Sequence, residues 1–405
     1  QRYYPVRNED GSLMPYFLTV RNGGTKALEN VQHGNEKVLR ARLDDAKFFF
    51  ENDRKKTLEG HRDDLTRINY QEGMGDMRDK ADRLQKLTEA IGKDWGFTAE
   101  EAADADRAAF LSKSDLATGM VTEFTELQGE MGKEYALLDG EKPEVAKAIF
   151  EQYMPRFAGD ILPQQEIGRA LSLADKLDNL AATFLRGLIP TGSQDPFALR
   201  RQTIGAVNIL TDGKIHWDIR RGIEAALALL PGDEETKKTV LSQIEDFFRQ
   251  RIKAIMLDEG IAYDIIDAVL AGPVDDIYAL FLKARSMAES QLKGEAELRQ
   301  AVTRLANITK GKTGGKVDPS LFTEDVEKKL QDAFEAVSAK ALPLFASYEY
   351  GKALPALKEL TAPINDYLDN VMVMVDDEAV KNNRISQLLA TLALFNTWGD
   401  FSKLV

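Results

Sequence analysis

The sequence predicts a mainly α-helical protein with a short β segment at its N-terminal end. Three observations predict it. From about Asn35 onward apolar residues recur at helical spacing, proline and glycine clusters separate those stretches, and β-prone runs are confined to residues 1–30.

Taken in chain order, YYPV and YFLTV flank NEDGS, which reads as two strands and a turn. Two short strands do not make a stable domain alone, so they are expected to belong to a larger module. The chain opens on QRYYPV with no initiator methionine, as expected of a fragment or processed product. DGEKPE, ending at Glu144, separates two helical stretches. Leu173, Leu177, Leu180, Phe184 and Leu188 then make an apolar stripe, and that helix is expected to end near Leu188. In the following PTGSQDPFALRR, Asp195 stands as N-cap and Pro196 at the first helical position, where its missing N–H costs nothing. Arg200 and Arg201 follow one turn in, beside a helix N-terminus that favours anions. AGPVDD (residues 271–276) and GKTGGKVDPS (residues 311–320) are further breaks, the second followed by a DVEKKLQDAF helix. Ile364, Leu368, Val371, Met372 and Val375 are spaced as one helical stripe. Asp376, Asp377 and Glu378 should start the next helix electrostatically, with Ile385, Leu388, Leu389, Leu392 and Phe395 as its apolar face. Boundaries fall near 30, 225 and 295, giving segments 1–30, 31–225, 226–295 and 296–405.

The chain has 405 residues, room for two or three domains with ample core. With 53 basic against 66 acidic residues its net charge is −13, which argues against a protein that coats phosphates non-specifically. Binding through local patches remains open. Arg299, Arg304, Lys310, Lys312 and Lys316 lie in a stretch without a single acidic residue, suited either to a solvated loop or to phosphate contact. Without cysteine there are no disulfides, thiolate metal sites or cysteine nucleophiles, in keeping with a reducing compartment. No run approaches the roughly 18 apolar residues of a membrane span, and no targeting pattern opens the chain.

Catalytic constellations are sparse. Asp175, Asp178 and Asn179, at i, i+3 and i+4, share a helix face opposite the leucine stripe and could hold a cation or a water. This helix resembles the last metal-ligand helix of the HD phosphohydrolase superfamily. Those hydrolases bind metal through an adjacent His-Asp pair. Here His33, His61 and His216 precede Gly, Arg and Trp, and Ser114-Asp115 stands at the matching place. Ser114, Asp115, Asp175 and Asn179 therefore read as a degenerate site with no metal and no catalytic residue, Asp115 and Asp175 making internal hydrogen bonds that hold helices in register. G-x-S-x-G elbow, Walker loop and dinucleotide fingerprint are absent, and GKTGGK lacks Walker spacing.

PTGSQDPFALRR closely resembles a segment of the bacterial glycyl-tRNA synthetase β-subunit. The resemblance extends in order through YYPVRNEDGSLMPYFLTVRN, NEKVLRARLDDAKFFFENDRKKTLE, KSDLATGMVTEFTELQGEMGKEYA, MPRFAGDILP, LADKLDNL and VMVMVDDEAVKNNRISQLLA. Two departures stand out. Gln194 replaces a common lysine, removing a phosphate contact, and QEGMGDMRDKADR differs from the family's usual wording. The resemblance implies the end of a mixed domain (1–30), a catalytically degenerate HD-like all-α domain (31–225), a helical linker (226–295) and an all-α anticodon-binding domain (296–405). It implies a ligase subunit that holds tRNA(Gly) while an α-subunit, in an α2β2 assembly, activates and transfers glycine with ATP and Mg. This chain itself would bind no cofactor, no DNA and no membrane, and would be cytoplasmic. Arg384 is the first candidate to read anticodon bases, with Asn383 and Lys381 next, the rival for Arg384 being a pair with Asp376 or Asp377. Arg200, Arg201, Arg299, Arg304, Lys310 and Lys312 are the further RNA candidates. The alternatives are a helical protein-interaction scaffold and an HD-type metal-dependent phosphohydrolase.

Overall fold

A computed structural model describes residues 3–192 and 194–405. Among them it is mainly α, with one two-stranded antiparallel sheet. The chain divides into two compact units, residues 1–55 and 56–405.

In the first unit Tyr3–Arg7 pairs with Leu13–Thr19, and a turn at Gly11, whose φ is 83°, joins them. The Leu28–Asp53 helix belongs to the same unit, so the division falls one helix later than the boundary near residue 30. Tyr3 ties hairpin to helix by donating its hydroxyl to Asn35 at 3.2 Å.

The second unit is built around the Glu166–Leu185 helix. The expected stripe of Leu173, Leu177, Leu180 and Phe184 is buried, each side chain contributing about 1.5–3 kcal/mol. The opposite face is buried as well, so this helix runs through the middle of its neighbours. Packed on it are the Met77–Trp95, Ala99–Leu111, Pro143–Glu151, Leu199–Asp212, Ile219–Ala228 and Glu234–Asp258 helices. Capping fixes where several begin. Asp76 with Asp79, and Thr98 with Glu101, form reciprocal boxes, and Asp233 accepts from Thr236 N.

The sequence places one helix start too early. The N-cap position is Ala198, in the left-handed region, and the helix opens at Leu199; Asp195, three residues earlier, still accepts from the N–H groups of Leu199 and Arg200. Its predecessor ends at Leu185, before Leu188.

Further along, Ala296–Thr309, Asp325–Ala346, Thr361–Asn370 and Glu378–Asn396 form a helical bundle. Trp398 is fully buried and donates Nε1–H to Lys283 O and Ser286 Oγ, fastening the end of the bundle to the Ile277–Glu289 helix. The stripe through Val375 is not a continuous helix. Helix ends at Asn370, and Val371 to Met374 alternate buried and exposed, the period of an extended chain. Asp377 caps the next helix by accepting from Ala379 N and Val380 N. No helix of the described residues is long and apolar enough to cross a membrane.

Candidate functional site

The first candidate is the polar face of the Glu166–Leu185 helix. Asp175 and Asp178 lie in the interior, where unpaired carboxylates are very costly. The Met77–Trp95 helix answers with Lys80 and Arg83, one turn apart on a face otherwise made of Met77, Ala81, Leu84 and Leu87. Lys80 Nζ lies 2.9 Å from both Asp175 Oδ1 and Asp178 Oδ2 and donates to Asn179 Oδ1 at 2.9 Å. Arg83 forks onto Asp178 with Nε at 2.6 Å and a terminal nitrogen at 3.2 Å. Lys113 reaches Asp175 Oδ2 at 3.0 Å and stacks its ammonium on the Tyr153 ring.

Burial alone would strip the Lys80 proton, but the two aspartates outweigh it and hold this ammonium well above its usual range. Burial likewise favours neutral Asp175, and the lysines outweigh that, keeping the carboxyl ionised far below its usual range. Tyr70, buried over the same cations, is pushed up to about 12.

Asp115 sits at the edge of this network. It accepts from Gly129 N at 2.7 Å and from the Tyr153 hydroxyl at 2.9 Å, while burial pushes its carboxyl up. Ser114 is buried, and its hydroxyl has no partner among the described residues. Asn179 accepts from the Tyr70 hydroxyl and donates to Gln202. Ammonium groups thus fill the space between the carboxylates, and no group of three His, Asp or Glu among the described residues could hold a metal ion. Such a network orients the helices that carry it. Sequence reading missed Lys80, Arg83 and Lys113. The available signal was a Lys and an Arg at i, i+3 inside an apolar helix face.

Arg200 and Arg201 follow the loop at residues 190–198. Arg200 is half-buried and donates to Gly192 O at 2.7 Å. Arg201 is exposed and makes no ion pair or hydrogen bond with a described residue.

The second candidate is the C-terminal bundle, and here two expectations need correction. Arg384 is only 4% exposed: it donates to Glu327 Oε1 at 3.0 Å, to Thr323 Oγ1 at 2.7 Å and to Met372 O at 2.8 Å. Its partner is Glu327, neither Asp376 nor Asp377. Asn383 is buried too, exchanging hydrogen bonds with the backbone N–H and C=O of Asp318. The reason is that the Glu378–Asn396 helix is enclosed on both faces, with Ser386, Gln387 and Thr391 also buried. Lys381 pairs with Glu378. Arg299 donates to the carbonyls of Leu404 and Lys293, and Arg304 bonds Asn365 and Asp369, so both hold the bundle together.

What the buried residues do is present two loops. Asn383 and Ser386 hold residues 315–318, Ser386 Oγ accepting from Gly315 N at 2.8 Å, and the loop they anchor, residues 310–318, carries exposed Lys310, Lys312 and Lys316. None of the three has a carboxylate within ion-pair distance among the described residues. Arg384 holds the carbonyl of Met372, a residue that is 74% exposed, and Met374 is 48% exposed beyond it. Exposed thioethers on one loop and unpaired ammonium groups on the other, both held by the Glu378–Asn396 helix, suit a ligand with flat faces and negative charge.

Residues 1–271 match the family described as glycyl-tRNA synthetase beta subunit, and residues 298–399 match the DALR anticodon binding domain. Similar curated proteins include the glycine–tRNA ligase beta subunit of Clostridioides difficile (strain 630), 45% identical over 100% of this chain and 59% of that protein. Those of Desulforamulus reducens, 42% identical over 100% of this chain and 59% of that protein, and of Halothermothrix orenii, 43% identical over 96% and 57%, resemble it as well. The chain spans about 59% of the length of the first of these relatives.

Proposed function

The chain belongs to the glycyl-tRNA synthetase beta subunit family, and from that premise we propose that it is a tRNA-gripping portion of a glycine–tRNA ligase. Its role is positioning. It holds tRNA(Gly) so that the acceptor end reaches an active site on an α-subunit, which uses ATP and Mg, within an α2β2 cytoplasmic enzyme. Fixing the orientation of one reactant lowers a barrier without bond chemistry in the holder. No residue here is assigned a catalytic part.

The observation that carries this reading is that adjacent residues of one helix, Asn383 and Arg384, hold two loops of the C-terminal bundle, one with three unpaired lysines and one with exposed methionines. Lysines supply the sequence-independent attraction to phosphates, and methionines offer faces for unstacked bases. Arg384 and Asn383 act as positioning residues behind those loops, in place of the direct base contact expected from the sequence. The HD-like all-α domain proposed for residues 31–225, with 226–295 as a helical linker, is one in which Lys80 and Lys113 occupy the room a metal would need. That donor set gives no support to a phosphohydrolase.

Filter binding of glycine tRNA against the same tRNA with a substituted anticodon tests the proposal. Tighter binding of the unsubstituted tRNA supports anticodon reading. Equal binding would reduce the bundle to a backbone contact, and no binding at low salt would favour a protein-interaction scaffold.

A further inference from the structure

Beside the buried charge network lies a cavity of about 190 Å³, lined by Arg156, Asp175, Lys176, Asn179, Arg201 and Gln202 among others. Lys176 belongs to the central helix and is 3% exposed. Its ammonium donates to Met154 O at 2.7 Å and Ser172 Oγ at 2.6 Å, two of the three bonds it can make. No carboxylate lies within ion-pair distance of it among the described residues; burial, aided by the repulsion of Lys113 and Lys80, outweighs the attraction of Asp175 and pushes its amine down to about 7. Gly205 makes room for its stem, because a Cβ there would stand 3.0 Å from Lys176 Cε.

The rim is cationic as well. Arg201 has no partner among the described residues, and Arg156 is engaged by Asp160. Farther out Arg251 feels the repulsion of Arg200, with Asp195 the nearby carboxylate that offsets it. Asp175 is the one carboxylate in the lining, and both Lys80 and Lys113 already neutralise it. A buried amine with one donor to spare, whose nearby carboxylate is already shared between two other lysines, lies below an uncommitted guanidinium, an arrangement that an anion would complete.

We propose that this cavity binds a phosphate group, held by Lys176 from below and Arg201 from the rim, with Asn179 and Gln202 as neutral donors. The site is separate from the loops of the C-terminal bundle and does not depend on their role. The phosphate could be carried by an RNA strand or be free in solution, and the chemistry of recognition is the same.

Inorganic phosphate is titrated into the full chain at pH 7 by calorimetry, with lysine side-chain signals followed by NMR. Wild type should bind phosphate, and binding should raise the titration midpoint of Lys176, since an anion favours the charged form. Arg201→Ala, at an exposed position, should weaken binding about tenfold, while Arg220→Ala, outside the cavity, should leave it unchanged. Lys176→Met should abolish binding in a protein whose circular dichroism is that of wild type. An Arg201→Ala chain that binds as wild type, or phosphate that leaves the Lys176 midpoint unmoved, would overturn the proposal. RNA oligonucleotides with and without a 5′-phosphate then identify the source. Displacement of phosphate only by the phosphorylated RNA marks a terminal phosphate, equal displacement by both marks the strand backbone, and displacement by neither marks free phosphate.

Discussion

Arg384 and Glu327 form a buried ion pair, Nε to Oε1 at 3.0 Å, that joins the Glu378–Asn396 helix to the start of the Asp325–Ala346 helix. The same guanidinium holds Met372 O, so one side chain sets both the packing of two helices and the course of an exposed loop. Removing one partner of such a pair strands a buried charge. Arg384→Ala should therefore destabilise the protein by about 3–5 kcal/mol, read by urea unfolding. At temperatures where the variant stays folded, tRNA affinity should still fall, because the Met372 loop loses its tether.

Acid should loosen this junction. Burial would raise the Glu327 carboxyl, but Arg384 and the N–H groups of Glu324 and Thr323 outweigh it and hold it below its usual range. A carboxyl lowered on folding contributes stability that is complete above its unfolded value and lost as pH falls through the folded one. Glu327→Gln should flatten the stability–pH curve below about pH 4.5, measured by thermal unfolding across acid pH.

Lys176 predicts a trend of the same sign in a higher pH window. Its amine is lowered on folding to about 7, so above that value the unfolded chain binds more protons than the folded one. Stability should rise with pH from about 7 to 10.5, and the Lys176→Met protein should lose that rise and melt higher near neutrality. Thermal melts of the two proteins across that range check it.

Lys80 bridges two aspartates that no other single residue bridges among the described ones. Lys80→Met should cost about 3–5 kcal/mol by leaving buried carboxylates short of charge. Lys80→Met combined with Asp178→Asn should recover part of that loss in a double-mutant cycle.

The basic loop should govern salt dependence. Replacing Lys310, Lys312 and Lys316 by alanine should weaken tRNA binding and reduce the slope of log affinity against log salt by about one per lysine in phosphate contact. Binding measured from low to moderate salt would show it.

Much of the fold was legible because long buried helices announce themselves by period. Leu173, Leu177, Leu180 and Phe184 locate the central helix, and Asp377 marks a helix start. The failures have physical causes. Val371 to Met374 fit a helical stripe and an alternating strand equally well over so few residues, and tertiary packing decided for the extended form. Arg384 and Asn383 look like surface residues on an amphipathic helix, yet that helix is enclosed, so their polarity serves partners 57 and 65 residues away in sequence. The Lys80–Asp175–Lys113 network is likewise invisible to local reading, because its charges come from three separate elements.

Cross-linking tests the central claim most directly. Glycine tRNA carrying 4-thiouridine in its anticodon loop is irradiated on the full chain and the attached peptides are mapped. Attachment within residues 310–318 or 371–376 is the predicted result. Attachment only within residues 56–295, with both loops unlabelled, would contradict the account.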